Sequence, residues 1–178
     1  MKNPPEGMLL EVSERIERRM GEFGADFYEL HLAAGFASSF LFQDGVLERL
    51  SASSAQGASL RCFRDGCWSL ASADSTEPEE VLQLVDELGG MGLEGEDRKL
   101  DFSLLPRGAN ARAFSEGEIP PQNVPPGDKA ALVRRMASAI SLADDGRLRN
   151  HRIHYADGGG LRLVSASDGT RVITGGSK

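Results

Sequence analysis

Phe40-Leu41-Phe42-Gln43-Asp44-Gly45-Val46-Leu47-Glu48-Arg49-Leu50 sets an Asp-Gly pair between two apolar runs. A type I′ turn needs positive φ at both central residues, and Asp-Gly meets that need at small cost, so the stretch predicts a β-hairpin. A second hairpin follows, with Ala58–Phe63 and Cys67–Ala71 on either side of Asp65-Gly66. In that register Phe63 faces Trp68, Cys62 faces Ser69 and Cys67 faces Arg64. The two sulfurs then share a face but sit diagonally, too far apart for a disulfide, and the cysteines read as small buried hydrophobes. A third Asp-Gly, Asp168-Gly169, separates Leu161–Ser165 from Arg171–Ile173.

Working outward, Asp26–Leu32 reads as an extended segment, and Ser51–Gly57 reads as a polar strand end or bend. Leu9, Val12, Ile16, Met20 and Phe23 recur at helical spacing, with Gly24 placed to cap the helix and Glu11–Arg15 and Glu14–Arg18 as surface pairs. Thr76 and Glu79 have capping-box spacing before Val81, Leu82, Leu84, Val85 and Leu88, and Gly89-Gly90 ends that helix. Asp128 is placed to cap a third helix whose expected buried stripe is Leu132, Val133, Met136 and Ile140. Asp157-Gly158-Gly159-Gly160 is read as a link between strands.

Residues 91–127 differ in kind, holding five prolines around a short apolar patch at Leu100, Phe102, Leu104 and Leu105. They read as a Pro/Gly-rich arm or linker. On either side, residues 1–90 and 128–178 each run helix, strand, hairpin, strand. His31 and His154 occupy equivalent places, as do Asp44-Gly45 and Asp168-Gly169. The expectation is one α+β domain of two similar helix–strand–hairpin halves, with a mixed or antiparallel sheet packed against helices.

The chemistry is sparse. His151 and His154, three apart in a predicted strand, point to opposite faces and cannot chelate together. Cys62 and Cys67 fit neither a redox nor a zinc spacing. No phosphate loop, nucleophile elbow or H-E-x-x-H helix is present, and no base is placed to activate Ser51, Ser53 or Ser54. Glu77–Glu80 reads as a helix start and Glu94–Asp97 as a solvated loop. The residues therefore give no catalytic set, no cofactor-binding residues and no metal ligands. The net charge of −7, from 20 basic and 27 acidic residues, disfavours direct nucleic-acid binding. No apolar run reaches spanning length and no signal peptide is evident at the start. With two cysteines, a reducing cytoplasm is the expected compartment.

The order of these pieces resembles the amino-terminal domain of the TldD/PmbA family, once described as modulators of DNA gyrase and now regarded as zinc metallopeptidases. The residues that carry the likeness are Ala25-Asp26-Phe27-Tyr28-Glu29-Leu30, Asp44–Leu50, the Ser51–Gly57 bend and the Leu60–Trp68 hairpin. Further along they are Pro120–Val124, Lys129–Arg135 and Leu163–Gly169. The resemblance implies a role in proteolysis of peptides or unfolded proteins. It implies paired like or related subunits around a chamber, with this domain as wall and subunit contact and a sheet edge open to peptide. The family's H-E-x-x-x-H motif has no counterpart here, so either zinc is expected in a carboxy-terminal part beyond this chain, if the parent is a peptidase, or the parent is of the family's zinc-free partner type; the chain alone should be inactive. A stand-alone protein-binding module is the alternative reading.

Overall fold

The computed structural model describes residues 5–91, 100–102, 108–115 and 119–177. The chain runs α1 (Glu6–Phe23), β1 (Phe27–Gln43), β2 (Val46–Arg64), β3 (Cys67–Ala73), α2 (Pro78–Gly90), β4 (Asn110–Ser115), a 3₁₀ turn (Pro121–Asn123), α3 (Pro126–Ala143), β5 (Arg152–Ala166) and β6 (Arg171–Ser177). One six-stranded sheet has the order β3-β2-β1-β5-β6-β4. Neighbours are antiparallel except β4 and β6, which run parallel. The fold is α+β with a mixed sheet.

The Asp-Gly turns set the register. Asp44 and Gly45 have φ of 50° and 80°, Asp65 and Gly66 have 52° and 80°, and the strands close at Gln43↔Val46 and Arg64↔Cys67. Phe63 therefore meets Trp68 and Cys62 meets Ser69, as the spacing predicts. Both cysteines are free thiols. α1–β1–β2 and α3–β5–β6 each run helix, then a two-stranded hairpin, and they meet at the antiparallel β1–β5 pair.

On β1, Leu30, Leu32, Phe40 and Phe42 alternate onto one face and are buried there. Near one end, α1 and α2 cover Leu30, Leu32, Leu60 and Leu163 with Leu9, Val12, Ile16, Met20, Val81 and Leu88. Near the other, Val133, Ala130 and Ala137 of α3 lie on Phe40, Phe42 and Ile153.

Several local expectations are corrected. Ser51–Gly57 is not a bend but the middle of β2, paired residue for residue with Ser39–Ala33 of β1. Backbone ladders need no apolar side chains, and two facing runs of Ala, Ser and Gly leave nothing to interrupt the pairing. Gly158–Gly160 does not link strands; it lies inside β5, opposite Ala37–Gly35. A Cβ on Gly158 would sit 2.7 Å from the Phe36 carbonyl oxygen, so the close approach of β5 to β1 excludes a side chain there. Neither Thr76 nor Asp128 caps a helix by its side chain: α2 starts after Glu77 and α3 after Pro125. α1 does end at Gly24, with φ 74°. Arg15 reaches Glu79 at 2.7 Å, and Arg171 of β6 takes Glu14 and Glu17 at 3.7 and 3.1 Å, so the charged side of α1 ties elements together. Within the 91–127 segment, Asn110–Ser115 forms the edge strand β4 and Phe102 stacks on Phe27.

Candidate functional site

The third helix holds the largest surprise. Of its expected buried stripe only Val133 is inside; Leu132, Met136 and Ile140 are 41%, 47% and 37% exposed. The inward residues are Lys129, Ala130, Val133 and Ala137. Small alanines let the helix approach the sheet, and an ion pair fixes its rotation. Lys129 Nζ lies 2.7 Å from Asp157 Oδ2, with the two side chains only 7% and 2% exposed. The Tyr155 hydroxyl donates to the same oxygen at 2.8 Å, while Ser38 Oγ donates to Oδ1. Lys129 also reaches Ser38 Oγ at 3.4 Å. The register explains the convergence, since Ser38 of β1 is directly opposite Asp157 of β5 and Tyr155 is two residues away on the same face.

Burial alone would raise the Asp157 carboxyl, but hydrogen bonds from Lys129, Ser38 and Tyr155 outweigh it and hold the group below its ordinary value. Burial, then the hydrogen bond and charge of Asp157, push the Tyr155 phenol up to about 12. Both oxygens of Asp157 are occupied and its partner is a cation. A carboxylate so paired is a poor general base, and a lysine so paired is a poor nucleophile. The cluster fastens α3 to the sheet and borders two grooves. One, about 440 Å³, is lined by Ser38, Leu50, Ala52, Val124 and Lys129 among others. The other, about 740 Å³, runs past Phe36, Ser115, Asp157 and Gly176.

A second polar group sits on the opposite face of the sheet. Arg61 Nη2 donates to Glu29 Oε2 at 2.6 Å, and His31 Nε2 bonds Glu29 Oε1. Burial raises the Glu29 carboxyl, and the bonds from His31 and Arg61 more than reverse this, so it is lowered. The Arg61 guanidinium lies 5.2 Å from the Trp68 ring, and Trp68 meets Phe63 at 5.4 Å.

The other sequence candidates scatter. His151 precedes β5, where its N–H donates to Asp44 Oδ1 at 2.8 Å and ties the first hairpin turn to the second half. His154 lies opposite Leu41, far along β1 from His31, which lies opposite Val164. Among the described residues no group of three His, Cys, Asp or Glu side chains could hold a metal ion. Burial raises the Cys62 thiol, with Arg64 opposing. Glu79 and Glu80 open α2, and Glu94–Asp97 lies outside the described residues. Sequence reasoning missed the Lys129–Asp157 pair. Its signal was present: Lys129, Val133 and Ala137 share one helical stripe, and Asp157 falls on the same inward alternation as Ile153 and Tyr155.

Residues 33–91 match the model of the PmbA/TldA metallopeptidase domain 1. Over those residues the chain is similar to the first domain of PmbA/TldA-type metallopeptidases. That match runs from the middle of β1 through β2, β3 and α2. The fold recurs more widely. A candidate modulator of DNA gyrase from Bacteroides thetaiotaomicron superposes with a TM-score of 0.65 at 19% identity, over 94% of this chain and 38% of that one. TldE from Thermococcus kodakarensis gives 0.65 at 20%, over 93% and 37%. A candidate gyrase modulator from Thermotoga maritima gives 0.63 at 13%, over 94% and 37%. At these identities the likeness is one of fold. The chain spans less than two-fifths of the length of these structures. No curated protein matches it.

Proposed function

We propose that this chain acts as a non-catalytic amino-terminal domain in a TldD/PmbA-like metallopeptidase, forming chamber wall and subunit contacts for the proteolysis of peptides or unfolded proteins. The match of residues 33–91 to a metallopeptidase first domain carries the reading. The side chains are consistent with it. The buried polar cluster is internally satisfied and anchors α3, while large apolar residues of α3 are left on the surface for a contact. Zinc, in this reading, is held by another part of the assembly, and the partner is a like or related subunit in the cytoplasm.

The test is hydrolysis of an unfolded polypeptide, such as reduced and alkylated casein, by the purified chain with and without chelator. The expected result is no cleavage in either case. Chelator-sensitive cleavage by the chain alone would overturn the proposal.

A further inference from the structure

The two faces of the sheet differ in charge. α1, α2 and α3 pack on the face that holds Leu30, Leu32, Phe40 and Phe42. The side chains that alternate with these stand on a face that no described helix covers. The register puts Arg49 there opposite Leu41, and Arg61 opposite Glu29, on β2. On β5 it puts Arg162 there opposite Ala33, His154 opposite Leu41 and Arg152 opposite Gln43. These four arginines and His154 are exposed. Acids are few. Of those in the six strands, Asp157 lies under α3, Glu48 drops out of register at the bulge beside Arg49, and Glu29 is held by Arg61 and His31. Arg152 reaches the Gln43 side chain at 3.0 Å, while Arg49 and Arg162 have no hydrogen bond or ion pair among the described residues. Much of the net charge of −7 sits on the other side, on residues such as Glu11 of α1 and Glu87 of α2. The uncovered face therefore has the sign opposite to that of the chain. Its middle is floored by small residues, and Ala33, Gly35, Gly57, Gly160, Arg162 and Thr174 help to line a hollow of about 570 Å³.

We propose that this helix-free face selects acidic polypeptide segments, whose Asp and Glu carboxylates pair with Arg162 and Arg49 while the backbone crosses the floor of small residues. A guanidinium presents a fork that takes a carboxylate through two parallel bonds. Arg162 stands opposite Ala33 and Arg49 opposite Leu41, roughly 25 Å apart along β1, so one extended segment with acids at both ends reaches both. A nucleic-acid strand meets the same arginines but brings a charge with every nucleotide into the field of an acidic chain. A peptide with a few carboxylates incurs much less of that repulsion. A second copy would have to offer its helix side, where Glu14, Glu17, Glu79 and Asp86 are already tied to arginines of their own chain. Glu11, Glu80 and Glu87 remain available there, so self-association is one of the outcomes tested. The proposal rests on the reading of the domain as a wall for polypeptide and adds which polypeptides the wall favours.

Fluorescence anisotropy tests it, with the full chain and labelled, capped peptides of Gly-Ser-Glu, Gly-Ser-Gln and Gly-Ser-Lys repeats. The glutamate peptide is expected to bind and the other two are not. Its binding weakens as salt rises from about 50 to about 300 mM. Arg162→Gln and Arg49→Gln each weaken it by about two- to fivefold, with unchanged thermal melts by circular dichroism. Arg135→Gln, which removes an exposed charge from α3 on the other side of the sheet, leaves it unchanged. The proposal is overturned if the glutamate peptide fails to bind at concentrations on the order of 1 mM. It is equally overturned if the lysine peptide binds as well, as the net charge alone would favour, or if Arg135→Gln weakens binding as much as the other two. Tighter binding of an oligothymidylate that is lost in the Arg162→Gln and Arg49→Gln variants would overturn it by assigning the face to nucleic acid. Self-association in sedimentation that is lost in the same variants would overturn it by assigning the face to a second copy. Failure of the glutamate peptide with no cleavage of casein by the chain leaves the wall reading standing and removes only the charge selectivity.

Discussion

At the scale of residues, Lys129 and Asp157 are the pair on which most depends. Lys129→Met strands a buried carboxylate and is expected to cost about 3–5 kcal/mol, read from urea melts. Adding Asp157→Asn should restore much of that loss, because both charges then leave the interior together. Ser38 and Tyr155 donate to different carboxylate oxygens, so one of them would keep the amide oxygen as acceptor and the other would accept from the new NH2 group. Acid should expose the same pair. The Asp157 carboxyl is lowered in the folded state, so folding favours its charged form. The stability it contributes is present above the unfolded carboxyl pKa of about 3.9 and is lost as pH falls through the lower folded value. Glu29 is lowered too and acts in the same sense. Asp157→Asn should therefore flatten the decline below about pH 4 without abolishing it; an unchanged decline would show that the pair is not coupled to folding.

At the scale of elements, the glycines of β5 separate two kinds of position. Gly158→Ala drives a Cβ to 2.7 Å from a backbone oxygen and should cost about 1–3 kcal/mol in chemical denaturation. Gly127→Ala, near the start of α3, meets nothing within 4 Å and should stabilise by about 0.4–1 kcal/mol. Equal effects at the two sites would contradict the register of β1 and β5. These elements also show what could be read in the sequence. The Asp-Gly hairpins, the α1 stripe and the Phe63–Trp68 pairing were legible because turn chemistry and apolar period act locally. The continuity of β1 and β2 through Ser51–Gly57, and of β5 through Gly158–Gly160, was not. Those ladders exist because small residues on one strand face small residues on another, beyond the hairpin turn for β1–β2 and more than a hundred positions away for β1–β5, which no local pattern reports. The rotation of α3 was hidden for a related reason. Apolar periodicity nominated Leu132, Met136 and Ile140, but the buried ion pair and the alanines turned the helix past them.

At the scale of the whole molecule, charge and sheet shape set what the chain can meet. A net charge of −7 opposes approach to a phosphate backbone. Titration with duplex DNA at low salt should give no shift, and a salt-dependent shift would favour direct nucleic-acid contact. No described helix is long and apolar enough to cross a membrane. Two grooves and a satisfied buried cluster fit the non-catalytic role proposed above. Native mass spectrometry of the chain incubated with equimolar zinc tests that account most directly. The account predicts that the metal-free mass dominates and that no adduct survives mild desalting; a stable species with one zinc per chain would contradict it.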